Sequence, residues 1–524
     1  MNEKQYWLTQ EQESLIPFND VVDDWPSART QLLSWKKREE EGFLQDIPSQ
    51  LVGPSTRAAL LSEVWSWPGW DEQDPILLDY EKENDGKVGP MSYMMTWSNR
   101  RDGAALRNFL SSTRPNFSRR AFDRARRKLE GLIKKGSLHR LSVEEAADRI
   151  PKNTYSGLPF ARKKREVIKR LVSRAQALFD GELELEPAQA GWRSQAGGPA
   201  LEDVKQRLIM MMDGTESICA TAYRDPMVDV LKTRTEFAGW FNADRADEVV
   251  TGALSSLDET FFSTDFDSYD STFSPDTSQL IMETLAFWFG EDISAEDSAL
   301  RELGRAAFSS KLLTADGLMS GLFGLFSGTG FTSPAGTLGN WFVAEYTSQV
   351  LGVRRSFGTY LGDDAVNAWS PSPPLDEVVA AAEELGFGQN MDKQHVSDES
   401  IHYLQNLWTK SGVRAVRPIF RAMQGMLAFE RPHNPKEFNR WMESVRTINQ
   451  CENCRNHDLF PHLVNFIKEH DDVIAATDPG VILKKAGGVE AVEDALRLTS
   501  YRAPFTDPSG WDEYQTVRAL RGQR

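Results

Sequence analysis

The sequence predicts an α+β fold in which helical lobes surround a small β-sheet. Short runs that are typical of strands occur at 205–212, 255–270 and 355–369, and helical patterns occur between them at 278–289 and 336–351. These elements do not alternate regularly, as they would in a doubly wound parallel sheet. The chain has 524 residues, too many for one hydrophobic core, so we expect several structural units.

The first hundred residues are acidic and rich in tryptophan, and they contain no motif that we can interpret. The N-terminus is polar, and no run approaches the roughly 18 consecutive apolar residues of a membrane-spanning helix. The three cysteines are too few for a disulfide framework. We therefore expect a soluble protein of a reducing, intracellular compartment.

Residues 113–175 form a basic region within an acidic chain. They contain 19 Lys or Arg and six Asp or Glu, whereas the whole chain has a formal net charge of −17. RRAFDRARRKLEGLIKK (119–135) has a helical period with Phe122, Leu129 and Leu132 on its apolar side, so a solvated helix face is one interpretation. We favour a channel that binds phosphate groups, because such a channel needs positive charge concentrated in one place.

Two segments have the composition of connectors. GELELEPAQAGWRSQAGGPA (181–200) combines Gly, Ala and Pro, and SPSPPLD (370–376) is rich in Ser and Pro. The second precedes a helical pattern, DEVVAAAEELGF (376–387), and the last hundred residues alternate helical patterns with Pro and Gly breaks. We expect irregular structure in both connectors and a largely helical C-terminal part.

Two adjacent aspartates follow a glycine at the predicted tip of a hairpin. They are Asp363 and Asp364, within TYLGDDAVNAW (359–369). Gly and Asp are ordinary turn residues, because Gly accepts a positive φ and Asp bonds to its own backbone. The pair alone therefore does not decide between a turn and a functional site.

A second group of carboxylates lies upstream, in STDFDSYDSTF (263–273). Alternation along a strand would place Asp265 and Asp267 on one face, with Asp270 near the end of the strand. Carboxylates that converge repel one another, so a cluster without His or Cys indicates bound Mg²⁺ or Mn²⁺. Two such ions can stabilise the attacking and leaving oxygens of an in-line phosphoryl transfer.

Between these two carboxylate elements lies GLFSGTGFTSPAGTLGN (324–340). Its first half is small and rich in hydroxyl groups, so its backbone can approach a substrate closely and donate hydrogen bonds, and its second half has a helical pattern. A Gly/Ser loop without a role is the alternative.

Four side chains that can bind zinc lie within twelve residues: Cys451, Cys454, His457 and His462, in CENCRNHDLFPH. All four lie on one short segment, whereas tetrahedral sites usually take their ligands from two separated elements. We favour an ordinary helix with buried cysteines, and zinc binding stays the open alternative.

The order of these motifs resembles palm motifs A, B and C of viral RNA-dependent RNA polymerases. The matching features are Asp-x4-Asp, then Ser-Gly with a downstream Thr and Asn, then Gly-Asp-Asp. The details resemble the polymerases of the picobirnavirus group most, and those of the partitivirus group next. SGTGFTSPAGTLGN (327–340) is similar to their motif B, and NTYSGLPFARKKREV (153–167) is similar to the motif that guides the template. KQRLIMM (205–211) is similar to motif F, and GFGQNMDKQ (386–394) is similar to motif D.

The resemblance implies a cupped right hand made of fingers, palm and thumb. An N-terminal element (1–100) would bridge the fingers and the thumb, and the fingers would span 101–258. The palm, with motifs A to D, would span 259–400 and include a fingers insertion near 283–318. The thumb and a C-terminal tail would follow at 401–524. YLQNLWTKSGVRAVRP (403–418) resembles the hairpin of motif E that holds a primer.

The resemblance also implies a catalytic centre. Asp265, Asp363 and Asp364 would hold two metal ions, together with the main-chain carbonyl of Phe266. Lys393 would donate a proton to the departing pyrophosphate. The ions would be Mg²⁺, with Mn²⁺ as the alternative.

Substrate contacts are implied in the same way. Lys205 and Arg207 would contact the triphosphate of the incoming nucleotide. Its ribose would be contacted by Asp270, Thr332 and Asn340. Ser327 and Gly328 would form the loop that lies against the nascent base pair. The template would contact Ser156, Gly157, Pro159, Lys163 and Lys164. One position departs from the pattern, because many relatives have Asp or Asn where this chain has Gly336, which leaves Asn340 as the nearest replacement.

The resemblance thus implies an RNA-dependent RNA polymerase that replicates and transcribes a double-stranded RNA viral genome without a primer. Its expected partners are RNA, ribonucleoside triphosphates and a viral capsid protein, within virions in the host cytoplasm. A reverse transcriptase is the nearest alternative, but it would usually have an aromatic residue in place of Asp270. A structural RNA-binding component of a particle is the other, and the intact Asp265, Asp363 and Lys393 argue against it.

Overall fold

The computed structural model describes residues 12–44, 46–110, 115–412, 414–430, 438–492 and 508–523. Helices make up most of the regular structure in these ranges. The α-helices are Phe18–Val21, Arg29–Glu41, Arg57–Trp65, Pro75–Asp85, Trp97–Arg101, Ala104–Leu110, Arg119–Glu130, Val143–Arg149, Lys164–Phe179, Gly214–Leu231, Ala238–Phe241, Ala243–Ser256, Pro275–Phe289, Ala299–Ser309, Thr332–Leu351, Leu375–Glu384, Ile419–Leu427, Arg440–Glu452, Phe460–His470, Asp472–Ala476, Pro479–Ala486 and Gln515–Leu520. None of them is both long and apolar enough to cross a bilayer.

The strands of the described residues form four sheets. They are β1 (Ser14–Pro17), β2 (Phe43–Leu44), β3 (Tyr93–Met94), β4 (Ala188–Gln195), β5 (Lys205–Met211), β6 (Phe261–Thr264), β7 (Leu312–Leu313), β8 (Gly317–Ser320), β9 (Arg354–Leu361), β10 (Asp364–Ser370), β11 (His395–Ser397), β12 (Ser400–Tyr403) and β13 (Asn406–Thr409). The orders are β1-β8-β7-β4-β5, β11-β6-β10-β9, β12-β13 and β2-β3. The mixture of helices and small sheets confirms the predicted α+β class.

The central sheet, β11-β6-β10-β9, is antiparallel throughout and carries the aspartate motifs at one end. Its strands coincide with two of the three predicted runs, although β6 is only four residues long within 255–270. The helices Pro275–Phe289 and Thr332–Leu351 confirm the two predicted helical patterns, and both are buried over most of their length. A continuous hydrophobic core joins this sheet to the helices and to the five-stranded sheet.

The five-stranded sheet corrects one prediction. Residues 181–200 were expected to form a connector, but β4 runs through them, antiparallel to β5 and parallel to β7. Ala188 and Ala190 are fully buried, and the side chains of Ile209 and Met211 on β5 pack close to Gly191. Small residues let neighbouring chains approach here, so a composition typical of connectors lies at the centre of a sheet.

The N-terminal and C-terminal parts of the chain share a second hydrophobic core. Its members include Leu60 and Trp70 from the first hundred residues and Phe420, Ile448 and other apolar residues of the C-terminal helices. The helix Pro75–Asp85 is tied to this part by Glu81, which accepts hydrogen bonds from the main-chain N–H groups of Ile419 (2.6 Å) and Phe420 (3.1 Å). Glu81 therefore caps a C-terminal helix from the N-terminal region.

Candidate active site

The two adjacent aspartates lie at the turn between β9 and β10, as predicted. Gly362 has φ of +65°, a conformation that favours glycine, and Asp363 and Asp364 follow it. The helix beneath holds this turn. The Gly362 N–H donates to Thr337 Oγ1 (2.8 Å), and Asn340 Nδ2 donates to the carbonyl oxygens of Gly362 (3.1 Å) and Asp363 (2.9 Å).

Asp265 lies beside this turn because β6 pairs with β10. Thr264 is opposite Ala365, so the residues that continue each strand, Asp265 and Asp364, lie at the same end of the sheet. The side chain of Gln394 holds the main chain of Asp265 on both sides, accepting from its N–H (3.1 Å) and donating to its carbonyl (2.7 Å). The predicted convergence of the two aspartate elements is therefore present in the structure.

The carboxylates at this end of the sheet repel one another. Burial, followed by the negative charges of Asp363 and Asp265, raises the pKa of Asp364 to about 7. Burial also raises the pKa of Asp265, although the nearby Lys393 opposes the shift. Carboxylate oxygens that raise one another's pKa suit divalent cations with hard oxygen ligands, and Asp265, Asp363 and Asp364 are the residues that would hold them.

Phe266, whose carbonyl was predicted to complete the metal site, forms an isolated bridge with Gln389. Next to it, the main-chain N–H of Asp267 donates to the carbonyl of Gly388 (3.0 Å). These contacts fix the chain directly after Asp265 against the segment of motif D. The metal contact of the Phe266 carbonyl stays a prediction.

Lys393 reaches the carboxylates from a short 3₁₀ turn, Met391–Lys393. Its Nζ lies 3.2 Å from Asp267 Oδ1 and 4.0 Å from Asp265 Oδ2. The side chain is 55% exposed, so it borders the solvent-filled side of the site. The resemblance to motif D implies a lysine near these aspartates, and in the structure Lys393 lies beside Asp265 and Asp267.

Asp270 lies on the 3₁₀ turn Tyr269–Thr272 at the edge of the site. Burial and the charge of Asp363 raise its pKa to about 7, while Arg207 favours its ionised form. The main-chain carbonyl of Asp270 accepts from the N–H of Leu325 (2.7 Å), which ties this turn to the segment before the Ser-Gly loop.

The Ser-Gly loop (327–330) lies against β5. A Cβ atom at Gly328 would be only 1.7 Å from the carbonyl oxygen of Met210, so only glycine fits there. Ser327 Oγ is buried and has no hydrogen-bond partner among the described residues. The hydroxyl of Thr332 donates to the carbonyl oxygens of Phe326 (3.0 Å) and Thr329 (2.8 Å), so it stabilises the loop.

Lys205 and Arg207 are exposed on β5. They are two positions apart on a strand, so they lie on the same face. The charge of Lys205 acts on Asp265, and that of Arg207 acts on Asp270. The structure therefore brings both predicted triphosphate contacts to the rim of the carboxylate cluster.

The template segment (153–167) forms a tight, well-bonded turn. Ser156 and Gly157 are buried, and the main chain of Ser156 bonds to Arg162 (2.8 Å) and to Gly214 (2.6 Å). The carbonyl of Pro159 accepts from Ser27 Oγ (3.0 Å). The buried residues shape the segment rather than expose hydrogen-bonding side chains, and the template contacts of the segment stay a prediction.

Lys164 corrects a prediction. It is 7% exposed, its Nζ lies 2.9 Å from Ser217 Oγ, and burial lowers its pKa. Its neighbour Lys163 is half-buried at the N-terminus of the helix Lys164–Phe179. Adjacent helical residues face different directions, so Lys164 points into the core and cannot reach an RNA phosphate here.

Asn340 is 1% exposed, and its side-chain Nδ2 donates to the carbonyl oxygens of Gly362 and Asp363. In this structure its amide nitrogen holds the aspartate turn, and its contact with a ribose stays a prediction. Gly336 stands at the position where many relatives have Asp or Asn, and its carbonyl oxygen accepts a hydrogen bond from the hydroxyl of Tyr269 (2.6 Å). Of the three predicted ribose contacts, Asp270 faces the site, and the roles of Asp270 and Thr332 stay predictions.

The sequence analysis missed residues that border the site from distant parts of the chain. An open pocket of about 500 Å³ adjoins Asp265, Asp364 and Lys393, and Tyr80 and Arg421 line its other side. The end and turn of the hairpin β12–β13 (402–405) also line this pocket, and the turn and β13 fall within 403–418, the segment that resembles motif E. No local motif marks Tyr80 or Arg421, since only the tertiary fold brings them here.

The Cys/His segment does not converge on one point. Cys451 and Cys454 are buried, the Sγ of Cys454 faces the carbonyl of Pro418 (3.8 Å), and His457 Nε2 lies 3.0 Å from Glu81 Oε1. His462 instead stacks on Trp67. Among the described residues, no three His, Cys, Asp or Glu side chains lie close enough together to enclose a metal ion, either in this segment or at the aspartates of the central sheet.

Aspartates carried on neighbouring strands of a small antiparallel sheet, with a lysine beside them, are the arrangement expected of a polymerase that joins nucleotides. The model of the viral RNA-dependent RNA polymerase family matches residues 116–424. The chain therefore belongs to the viral RNA-dependent RNA polymerases, and its enzyme class is RNA-directed RNA polymerase. Members of this family use divalent metal ions.

Individual relatives agree with this assignment. The chain is 24% identical over 488 residues to a potential RNA-dependent RNA polymerase of Human picobirnavirus, covering 87% of this chain and 89% of the relative. The crystal structure of the RNA-dependent RNA polymerase of a human picobirnavirus has a TM-score of 0.80 at 20% identity, covering 94% of this chain and 97% of that chain. Its insertion loop deletion mutant gives 0.81 at 20% identity, covering 98% and 100%. The resemblance to picobirnavirus polymerases and the right-hand fold are confirmed.

Proposed function

We propose that this polymerase replicates and transcribes a double-stranded RNA viral genome by two-metal nucleotidyl transfer with Mg²⁺. The observation that carries the proposal is the convergence of Asp265, Asp363 and Asp364 beside Lys393 at one end of the central sheet. When bound, the ions would activate the attacking hydroxyl group and stabilise the departing pyrophosphate. Mn²⁺ is the alternative metal.

The chain's own side chains would complete the reaction. Lys393, exposed beside Asp265 and Asp267, would give a proton to the leaving group as a general acid. Lys205 and Arg207 would neutralise the triphosphate. Asp270 would accept a hydrogen bond from the ribose 2′-hydroxyl, which selects ribonucleotides.

The proposed divisions are an N-terminal element (1–100), fingers (101–258), palm (259–400) and thumb (401–524). The shared core of the first and last divisions supports a bridge by the N-terminal element. The helix Arg119–Glu130 exposes Arg120, Arg124 and Arg127, which supports an RNA channel in the fingers. Three further points are proposed from the similarity to picobirnavirus polymerases alone. The enzyme would start RNA synthesis without a primer, would have a capsid protein as partner, and would lie inside virions in the host cytoplasm.

The test is incorporation of labelled ribonucleotides on a single-stranded RNA template, with and without primer, in Mg²⁺ and then in Mn²⁺. Asp363→Asn should abolish incorporation and leave RNA affinity within about twofold, because it removes a metal ligand and no RNA contact. Asp376→Asn, at an exposed position of the helix Leu375–Glu384, is the matched control. Product made from deoxynucleotides would indicate a reverse transcriptase, and near-normal synthesis by Asp363→Asn would refute the metal assignment.

A further inference from the structure

The Ser-Gly loop lies in a gap between β5 and the helix Gly214–Leu231. On one side, Gly328 abuts the carbonyl of Met210. On the other side stands the first turn of the helix, whose Glu216 is fully buried. Glu216 has no part in the mechanism above, although a buried carboxylate is costly to maintain without a purpose.

Both carboxylate oxygens of Glu216 are bonded to the loop. Oε1 accepts from the hydroxyl of Thr329 and from the main-chain N–H of Gly330 (3.0 Å), and Oε2 accepts from the same N–H (3.2 Å). Thr329 is itself buried, and its hydroxyl also accepts from the N–H of Phe331 (3.2 Å). One side chain therefore fixes the C-terminal half of the loop.

Burial raises the pKa of Glu216 to about 7, and the hydrogen bonds from Thr329 and Gly330 and the positive charges of Lys164 and Arg224 oppose this shift. Lys164 belongs to the template segment (153–167), and its Nζ bonds to Ser217, the neighbour of Glu216 on the helix. A single buried cluster thus joins the segment proposed to guide the template to the loop proposed to contact the nascent base pair.

We propose that Glu216 is a positioning residue for nucleotide addition. It holds the Ser-Gly loop in the position from which the loop contacts the nascent base pair. Glu216 touches neither RNA nor nucleotide and acts through Thr329 and Gly330. Lys164, as the counter-charge of Glu216, links the position of the loop to the template segment. The inference rests on the proposed function, since the loop acts only during RNA synthesis.

A merely structural role is the competing explanation, and the chain offers a matched control for it. Glu452 is also buried, and it accepts from the hydroxyl (2.8 Å) and main-chain N–H (2.8 Å) of Thr516 and from the N–H of Gln515 (3.1 Å). This cluster has the same chemistry as the one at Glu216, but it lies in the C-terminal helical part. Removal of either glutamate should destabilise the protein to a similar degree.

The variants are Glu216→Ala, Glu216→Gln, Thr329→Val, the double variant Glu216→Ala/Thr329→Val and the control Glu452→Ala. In the full-length chain we would measure hydrogen exchange at 326–332, the unfolding temperature, RNA affinity and single-nucleotide addition. We expect Glu216→Ala to speed exchange at the Gly330 amide and to lower the maximal rate of addition about 10- to 100-fold, because small misplacements are costly to catalysis. Glu452→Ala should leave the rate per folded molecule within about twofold.

Glu216→Gln keeps an acceptor for Thr329 and should restore most of the rate. The single losses of Glu216→Ala and Thr329→Val should not add in the double variant, because both remove the same bond. Unchanged addition by a folded Glu216→Ala, additive losses, or an equal loss in Glu452→Ala would each overturn the proposal. Hydrogen exchange at the loop that is the same in Glu216→Ala and in the unsubstituted protein would also overturn the proposal, and this measurement needs no polymerase activity. An unsubstituted protein that makes no RNA with either Mg²⁺ or Mn²⁺ would instead refute the proposed function.

Discussion

Glu81 and His457 are 376 residues apart in sequence, yet Glu81 Oε1 lies 3.0 Å from His457 Nε2 and both side chains are fully buried. Glu81 also accepts the N–H groups of Ile419 and Phe420 at the start of a C-terminal helix. One carboxylate therefore satisfies three donors of the C-terminal region. It is therefore a polar link between the N-terminal helix Pro75–Asp85 and that region.

Glu81→Ala should lower the free energy of unfolding by about 3 kcal/mol, because it leaves a buried histidine and two main-chain N–H groups without their acceptor. Denaturant unfolding would measure the change. Glu83→Ala is the control on the same helix, since Glu83 is 55% exposed and bonds only to the neighbouring Lys87 among the contacts described. Equal destabilisation by the two variants would contradict a special role for Glu81.

Lys393→Met should slow the chemical step about 100-fold and leave nucleotide affinity nearly unchanged, as expected for the loss of a general acid. Single-turnover addition at saturating nucleotide would separate the two effects. Lys82→Met provides a control, because Lys82 is 58% exposed, much like Lys393, and pairs with Asp79 on the helix Pro75–Asp85 (3.0 Å). An unaltered single-turnover rate in Lys393→Met would exclude the proton-donor role.

Lys163 and Lys164 are adjacent and should behave differently. Lys163→Ala should weaken RNA binding and reduce the slope of log affinity against log salt concentration by about 0.7, the value for one contact to single-stranded nucleic acid. Lys164→Ala should leave that slope unchanged and lower the unfolding temperature, because Lys164 is buried beside Glu216. Binding isotherms at several salt concentrations distinguish the two, and a reduced slope in Lys164→Ala would contradict its burial.

His402 should make the protein sensitive to acid. Its ring stacks between Tyr80 and His395, and burial, with help from His395 and Lys87, lowers its pKa to about 3. At this position the unfolded chain binds a proton below about pH 6.5 and the folded chain does not, so the contribution of His402 to stability falls as the pH decreases from 6.5 toward 3. His402→Phe should flatten this dependence of the unfolding temperature, whereas the exposed control His139→Phe should not. Identical pH profiles of His402→Phe and the unsubstituted chain would refute the assignment.

The central features of the site could be predicted from sequence because local signals mark them. Asp363 and Asp364 follow a turn glycine between strand patterns, and Asp265 lies within another strand pattern, so the sequence indicates the elements that carry them. The strand ends at Thr264, one residue before Asp265, which the pattern does not show. The position of Lys393 follows only from the resemblance to motif D.

Orientation and long-range contacts could not be predicted. Nothing local shows that Lys164 faces inward while Lys163 does not, because the helix after them is oriented by packing against its neighbours. The strand β4 has the small residues of a connector and owes its conformation to pairing with β5 and β7. Asn340 matched a motif by spacing, but its amide is used by a turn that lies 22 residues further along the chain.

The shared core of the two ends of the chain also constrains the order of events during synthesis on the ribosome. Ile419, the first residue along the chain that bonds to Glu81 from the C-terminal part, is synthesised 338 residues after Glu81. At about 5–20 residues per second, the helix Pro75–Asp85 waits on the order of half a minute before it can bury its inner face. Leu60, Trp70 and their apolar neighbours therefore cannot meet their native C-terminal partners until most of the chain has been translated.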